Sequence, residues 1–213
     1  MIEFPVGYYR EFKLPAWFEG PRELEQLLQR LWGHSYPELY EEPQPDRPVG
    51  SMDAAEEDVL AFLGDTGEPF AHRRHIYMAW AFALASRPTV RSWAPDDDRP
   101  DRVLIVIESF LAGRQVDIPP LESTFPHVVT PPQALNDGLD VFRSALQALQ
   151  PLHARDALLS VLDACLEGYV IFPGADGRRD LFNWWLVEVV PAAWMERLAD
   201  KIYTFEWPWP PGQ

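Results

Sequence analysis

A chain of 213 residues, 47% of them apolar, has enough hydrophobic material for one substantial core, which excludes global disorder. Its formal charge of −15 sets the summed field against nucleic-acid backbones and anionic membranes and favours a basic partner or simple solubility. The one cysteine, Cys165, excludes an intrachain disulfide and a cysteine-based metal cage, and fits a reducing, cytoplasmic setting.

The first twelve residues alternate aromatic, apolar and charged side chains, without the apolar core of a signal peptide. Pro21 then opens a helix over residues 23–32, with Leu24, Leu27, Leu28 and Leu31 on one face and Gly33 as its stop. An acidic, Pro-rich linker (residues 41–48) precedes a second helix. Ser51 or Asp53 is its expected cap, Asp53 with Glu56 resembling a capping box, and Ala55, Val59, Phe62 and Leu63 form its apolar stripe before Gly64.

Pro69 starts a third helix, predicted to run to about Ser86. It is apolar nearly all round after Ile76, which makes it central, while the run 76–85 is too short for a bilayer span of about 20 residues. Residues 102–111 contain Val103, Leu104, Ile105, Val106 and Ile107 and would suit a buried strand. Pro100 and Gly113 bracket a helix-length span, however, so helix is the reading adopted.

Thr130 and Pro131 are expected to begin the next helix, whose seam is Leu135, Leu139, Phe142, Leu146 and Leu149. Gly138 weakens it by about 1 kcal/mol relative to alanine. After Pro151 a further helix turns Leu158, Leu159, Leu162 and Leu166 inward and stops at Gly168. Residues 169–172 are a short strand candidate, followed by turn chemistry. Asp180 is a candidate cap for a helix through Trp184, Trp185 and Val189, with Pro191 breaking it and restarting a helix toward Ala199. The competing reading pairs 169–172 with 184–190 as a hairpin. The fold class is therefore mainly α: a single helical bundle or irregular helix-pair stack over 1–213, with at most a minor β-hairpin. Residues 205–213 form a possible extended aromatic tail.

No strong catalytic motif stands out. His72 and His75 share a helix face and are weak metal candidates, because the intervening Arg73 and Arg74 oppose a cation and no third ligand has a recognised spacing. No metal or cofactor is assigned. Cys165 reads as a small buried hydrophobe. Two acidic clusters remain: Glu56, Glu57 and Asp58 on the polar side of the second helix, and Asp96, Asp97, Asp98 and Asp101 at the corner before Pro100. The corner lacks the alternating ligands of an EF-hand; its carboxylates suit a helix N-terminus or a patch that steers a cationic partner. Trp207 and Trp209 are candidate anchors in the tail.

Residues 72–113 carry a resemblance. Ala79-Trp80-Ala81-Phe82-Ala83-Leu84, then Pro95-Asp96-Asp97-Asp98-Arg99-Pro100, then Ile107-Glu108-Ser109-Phe110-Leu111-Ala112-Gly113 resembles the helix–corner–helix wording of helical immunity proteins from bacterial polymorphic-toxin systems. The match covers about a fifth of the chain and departs in using Val103 to Ile107 where that family favours alanine. It implies a non-catalytic binder that occludes a cognate, basic-surfaced toxin, with neither nucleic acid nor membrane as partner. A metal-dependent hydrolase on a helical scaffold, and a scaffold or regulator using its aromatic tail, are the alternatives.

Overall fold

The computed structural model describes residues 9–40, 45–125, 133–168, 170–171 and 175–203. Its principal helices are α1 (Arg22–Gly33), α2 (Met52–Leu63), α3 (Pro69–Trp93), α4 (Arg99–Leu111), α5 (Leu121–Thr124), α6 (Gln133–Gln147), α7 (Ala154–Leu162), α8 (Ala175–Trp184) and α9 (Val190–Trp194). No sheet forms among the described residues, where the only strand-like pairing is an isolated bridge from Ser35 to Val49. The mainly α expectation holds.

Helix α3 is the axis of the stack and packs against α2, α4, α6, α7 and α9. Its buried positions go round the helix, including Ile76, Met78, Ala79, Phe82, Ala83 and Ala85, which is why its sequence has no polar face over that stretch. It continues to Trp93, beyond the end expected near Ser86, and carries Pro88 inside. Pro88 removes one backbone donor, but Thr89 and Val90 are buried and Thr89 Oγ1 donates to Val170 O at 2.5 Å. Tertiary contacts in the last two turns outweigh the proline. Gly138 explains itself here as well: a Cβ on it would stand 2.8 Å from Val90 Cγ2, so the glycine lets α6 approach α3 closely.

Helix α1 buries the four leucines read from its sequence. The cap of α2 is Ser51, whose side chain accepts from Ala54 N; Asp53 is left in the first turn with its carboxylate free for other work. Gly64, at φ 101°, takes the chain out of the helix in a conformation that side chains resist. The span 99–111 is helix α4, not strand. The expected α6 start at Thr130 and Pro131 lies outside the described residues, while Leu135, Phe142, Leu146 and Leu149 of the seam are buried and Leu139 is half-buried.

The C-terminal third departs most from expectation. Helix α7 widens into a π-turn at Asp163–Glu167, closed by Gly168 N donating to Asp163 O at 2.8 Å. A second π-turn, Trp185–Val189, joins α8 to α9. Pro191 therefore does not break the chain: the wider turn just before it absorbs the missing donor, and the helix runs on to Trp194. It stops there, short of Ala199, with Glu196 at φ 50°. Asp180 is not a cap but sits inside α8, where its Oδ1 accepts from Tyr9 N at 2.7 Å; Asn183 Nδ2 donates to Tyr9 O at 2.9 Å. Together they strap the N-terminal segment to α8. Residues 184–190 are helical, which removes the hairpin, and Val170 and Ile171 are buried without strand pairing. Tyr169, Phe172 and the tail 205–213 lie outside the described residues.

Two Arg-Arg dipeptides hold the helix ends. Arg73 Nη2 donates to Leu111 O at 3.0 Å and Arg74 Nη1 to Leu63 O at 3.4 Å, at the C-termini of α4 and α2. Arg178 donates to the carbonyls of Leu166, Glu167 and Gly168, and Arg179 to those of Trp32 and His34 at the end of α1. Each guanidinium meets carbonyls left without intrahelical donors at the negative end of a helix dipole.

Candidate functional site

The acidic corner before α4 is electrically closed. Asp97 is bound by Arg99 through a 2.5 Å contact, Asp98 pairs with Arg102 at 3.2 Å, and Asp101 bridges Arg87 and Arg91 at 2.5 and 2.9 Å. Four arginines thus face the four aspartates of the patch, and only Asp96 forms no ion pair among the described residues. Despite the partial burial that opposes it, Asp97 is held below the ordinary carboxylate range by the Arg99 guanidinium and backbone N–H. The segment works as a cross-linked turn.

The second acidic run divides among three environments. Glu57 is paired with Arg155, and Asp58 with Arg30 at 2.8 Å. Glu56 does not lie on the solvent face expected of it: it is 1% exposed and its Oε1 has no hydrogen-bond partner. Burial, reinforced by Asp163, Glu167, Asp53 and Glu57, pushes its carboxyl up to about 9.

That environment reveals a third acidic group, one the sequence does not announce. Asp53 from the first turn of α2 meets Asp163 and Glu167 from the π-turn after α7, and one carboxylate oxygen from each lies within 4.8 Å of the others. Asp53 and Asp163 face solvent, whereas Glu167 is half-buried and its Oε1 is unpartnered. Glu38, whose Oε2 is also buried and unpartnered, adds its charge to Glu167. Partial burial first, then mutual repulsion, raises both Asp163 and Glu167 above their ordinary range. No lysine or arginine forms an ion pair with Asp53, Asp163 or Glu167 among the described residues.

The histidines read as metal candidates are structural. His72 Nε2 bonds Ala148 O at 2.9 Å and His75 Nδ1 bonds Ala71 O at 2.8 Å, and neither belongs to a metal-ligating group of three among the described residues. Burial lowers both below the ordinary histidine value, so the neutral rings are favoured. Cys165 is fully buried beside Ser86 Oγ at 3.4 Å, and burial pushes its thiol up to about 12, as suits an inert filler.

A cleft of about 560 Å³ lies between residues 9–17 and the end of the described chain, lined in part by Trp17, Glu188, Asp200 and Lys201. Charges at its C-terminal wall are engaged: Lys201 Nζ sits 3.1 Å from Glu188 Oε1, Trp17 Nε1 donates to Asp200 at 2.7 Å, and Arg197 stacks 4.2 Å over the Trp17 ring. Glu188 is raised by burial against the pull of Lys201.

Trp207 and Trp209 lie outside the described residues. No protein-family model, curated protein or solved structure matches this chain. No helix among the described residues is long and apolar enough to cross a membrane.

Proposed function

We propose that the chain is a non-catalytic protein-binding protein, and that its leading form is an immunity protein that neutralises a bacterial toxin by occluding a basic surface. One observation carries the binding reading. At one end of the helical stack, Phe70 and Leu152 stand 69% and 86% exposed. The His72–Ala148 hydrogen bond ties the start of α3 to the chain leaving α6, so both side chains belong to that same end.

Asp65, Glu68 and Asp156, close to them in sequence, are exposed, while the arginines of these segments are engaged by other partners. Arg73 holds Glu196 at 2.7 Å, Arg74 stacks 3.6 Å over Trp194, and Arg155 pairs with Glu57. Apolar anchors with unpaired acids in the same segments suit a basic partner: the charges speed encounter and the buried anchors set lifetime. The formal charge of −15 acts in the same direction over longer range.

The test is a binding titration of the purified chain against the toxin domain encoded by the neighbouring reading frame. The expected result is a stoichiometric complex that abolishes the toxin's activity. Phe70→Asp with Leu152→Asp weakens it by about 100-fold or more, and reversing Asp65, Glu68 and Asp156 slows association more than reversing Asp96, Asp97 and Asp98. Neutralisation that survives the double anchor change, or association indifferent to salt, refutes the reading.

A further inference from the structure

Lysine occurs only twice in the chain, and the fold brings both copies to one place. Lys13, from the N-terminal segment, and Lys201, from the end of the described chain, line the same cleft of about 560 Å³. Elsewhere arginine does the cationic work, capping helix ends and pairing with surface acids. We propose that this cleft binds a small organic monoanion, a carboxylate carried on an apolar body. Lys13 and Lys201 hold its charge, and Leu14 and Trp17 pack on its body.

Size and charge set the ligand class. The volume falls within the roughly 300–1,000 Å³ of small-molecule sites. An ammonium is a compact point charge on a flexible stem, suited to one carboxylate, where arginine's planar fork demands a fixed geometry. The lining also contains Glu11 and Glu188, which repel a second negative charge. A monoanion therefore fits better than a phosphate dianion.

The walls are fixed before a ligand arrives. Asp180 and Asn183 grip the backbone of Tyr9 at 2.7 and 2.9 Å, and Trp17 Nε1 donates to Asp200 at 2.7 Å. The stretch between, which carries Lys13, is thus pinned at both ends. Leu14 packs against the core, and Arg197 lies over the Trp17 ring. Glu188 belongs to the second π-turn, the kind of helical irregularity that re-aims a side chain at functional sites. Its side chain is 8% exposed and its Oε1 sets Lys201 Nζ 3.1 Å away, while the lysine side chain keeps 35% of its surface exposed. Lys13 is exposed and forms no ion pair among the described residues. A site ordered in advance loses little freedom when it binds.

Having two lysines makes the test direct. The full chain, produced with isotopically labelled lysine, gives one backbone amide resonance for Lys13 and one for Lys201, and Lys13→Met assigns them. Naphthoate is titrated in at about 0.15 M salt, where diffuse charge effects are screened. Both resonances are expected to shift along one saturation curve, with one naphthoate bound per chain by calorimetry. Lys13→Met and Lys201→Met each weaken binding about tenfold or more. Naphthalenemethanol, the uncharged analogue, binds about tenfold more weakly or worse. Arg143→Met, which removes a base outside the lining, leaves binding unchanged. Lys13 is exposed, so its variant keeps the fold even where Lys201→Met, by stranding the buried Glu188, does not. The assignment is overturned by the absence of saturable naphthoate binding, by a shift at one lysine alone, or by naphthalenemethanol binding as tightly. Full affinity in the Lys13→Met, Lys201→Met double variant overturns it as well.

Discussion

Replacing Arg178 tests whether guanidinium capping holds the C-terminal third together. The side chain is 1% exposed and donates from Nη1 to Leu166 O at 3.0 Å and Glu167 O at 2.8 Å, and from Nη2 to Gly168 O at 3.0 Å. Arg178→Met keeps the length and apolar volume but strands these carbonyls at the end of the π-turn. A hydrogen bond to a charged donor contributes about 1.5–3 kcal/mol, and the three share one donor group and are not additive. Release of the guanidinium's own desolvation cost offsets part of the loss, so about 3–5 kcal/mol is expected, the range for breaking a buried charged contact from one side. At about 2–4 °C per kcal/mol for a chain of this size, the melting temperature falls by about 6–20 °C. Urea unfolding followed by tryptophan fluorescence measures the change directly. Arg178→Lys, which keeps charge but loses the fork, should fall between. A loss under about 1 kcal/mol for methionine, or a lysine variant as stable as the parent, refutes the capping argument.

Gly138→Ala should destabilise by about 1–2 kcal/mol despite its better helix propensity, because its Cβ would meet Val90 Cγ2 at 2.8 Å in a buried seam. Adding Val90→Ala should recover part of that loss, and chemical denaturation of the four proteins closes the cycle. Acid should unfold the chain partly through His72 and His75. Their folded values lie below the ordinary 6.5, so the unfolded chain binds more protons on the acid side. Their contribution is complete above about pH 6.5 and falls by up to about 1.4 kcal/mol per unit and per histidine as pH drops toward the folded values. His75→Gln should flatten the acid limb of a stability–pH curve, and an unchanged slope between about pH 6.5 and 5 counts against it. Asp101→Asn should cost only about 0–1 kcal/mol, since its two arginine contacts are half exposed, and thermal unfolding in low and high salt checks this.

Most helices were legible in the sequence because local chemistry wrote their ends. Pro21 and Gly33 bracket α1, Ser51 and Gly64 bracket α2, Pro100 sits at the start of α4, and apolar spacing named the buried faces of α1 and α6. The candidate site was less legible. Asp96, Asp97, Asp98 and Asp101 look like a negative patch in one dimension, but Arg99 and Arg102 pair locally with Asp97 and Asp98, and Arg87 and Arg91 reach Asp101 only once α3 and α4 are packed. Glu56 looks like one more surface acid beside Glu57 and Asp58. Only its position in the helical period, between Ala55 and Val59, hinted that it faces inward.

What the sequence determined alone is the helical class, the centrality of the segment after Ile76, and a net charge of −15. Tertiary structure decided which charges remain unanswered. It carried α3 through Pro88, opened the π-turns at 163–167 and 185–189, sent the Arg-Arg pairs to distant helix ends, and brought Asp53 to Asp163 and Glu167. The physical reason is range. Caps, turns and periodicity act over one or two helical turns and can be read along the chain. Coulomb pairing and desolvation depend on distance through space, and partners more than a hundred residues apart acquire that distance only on folding.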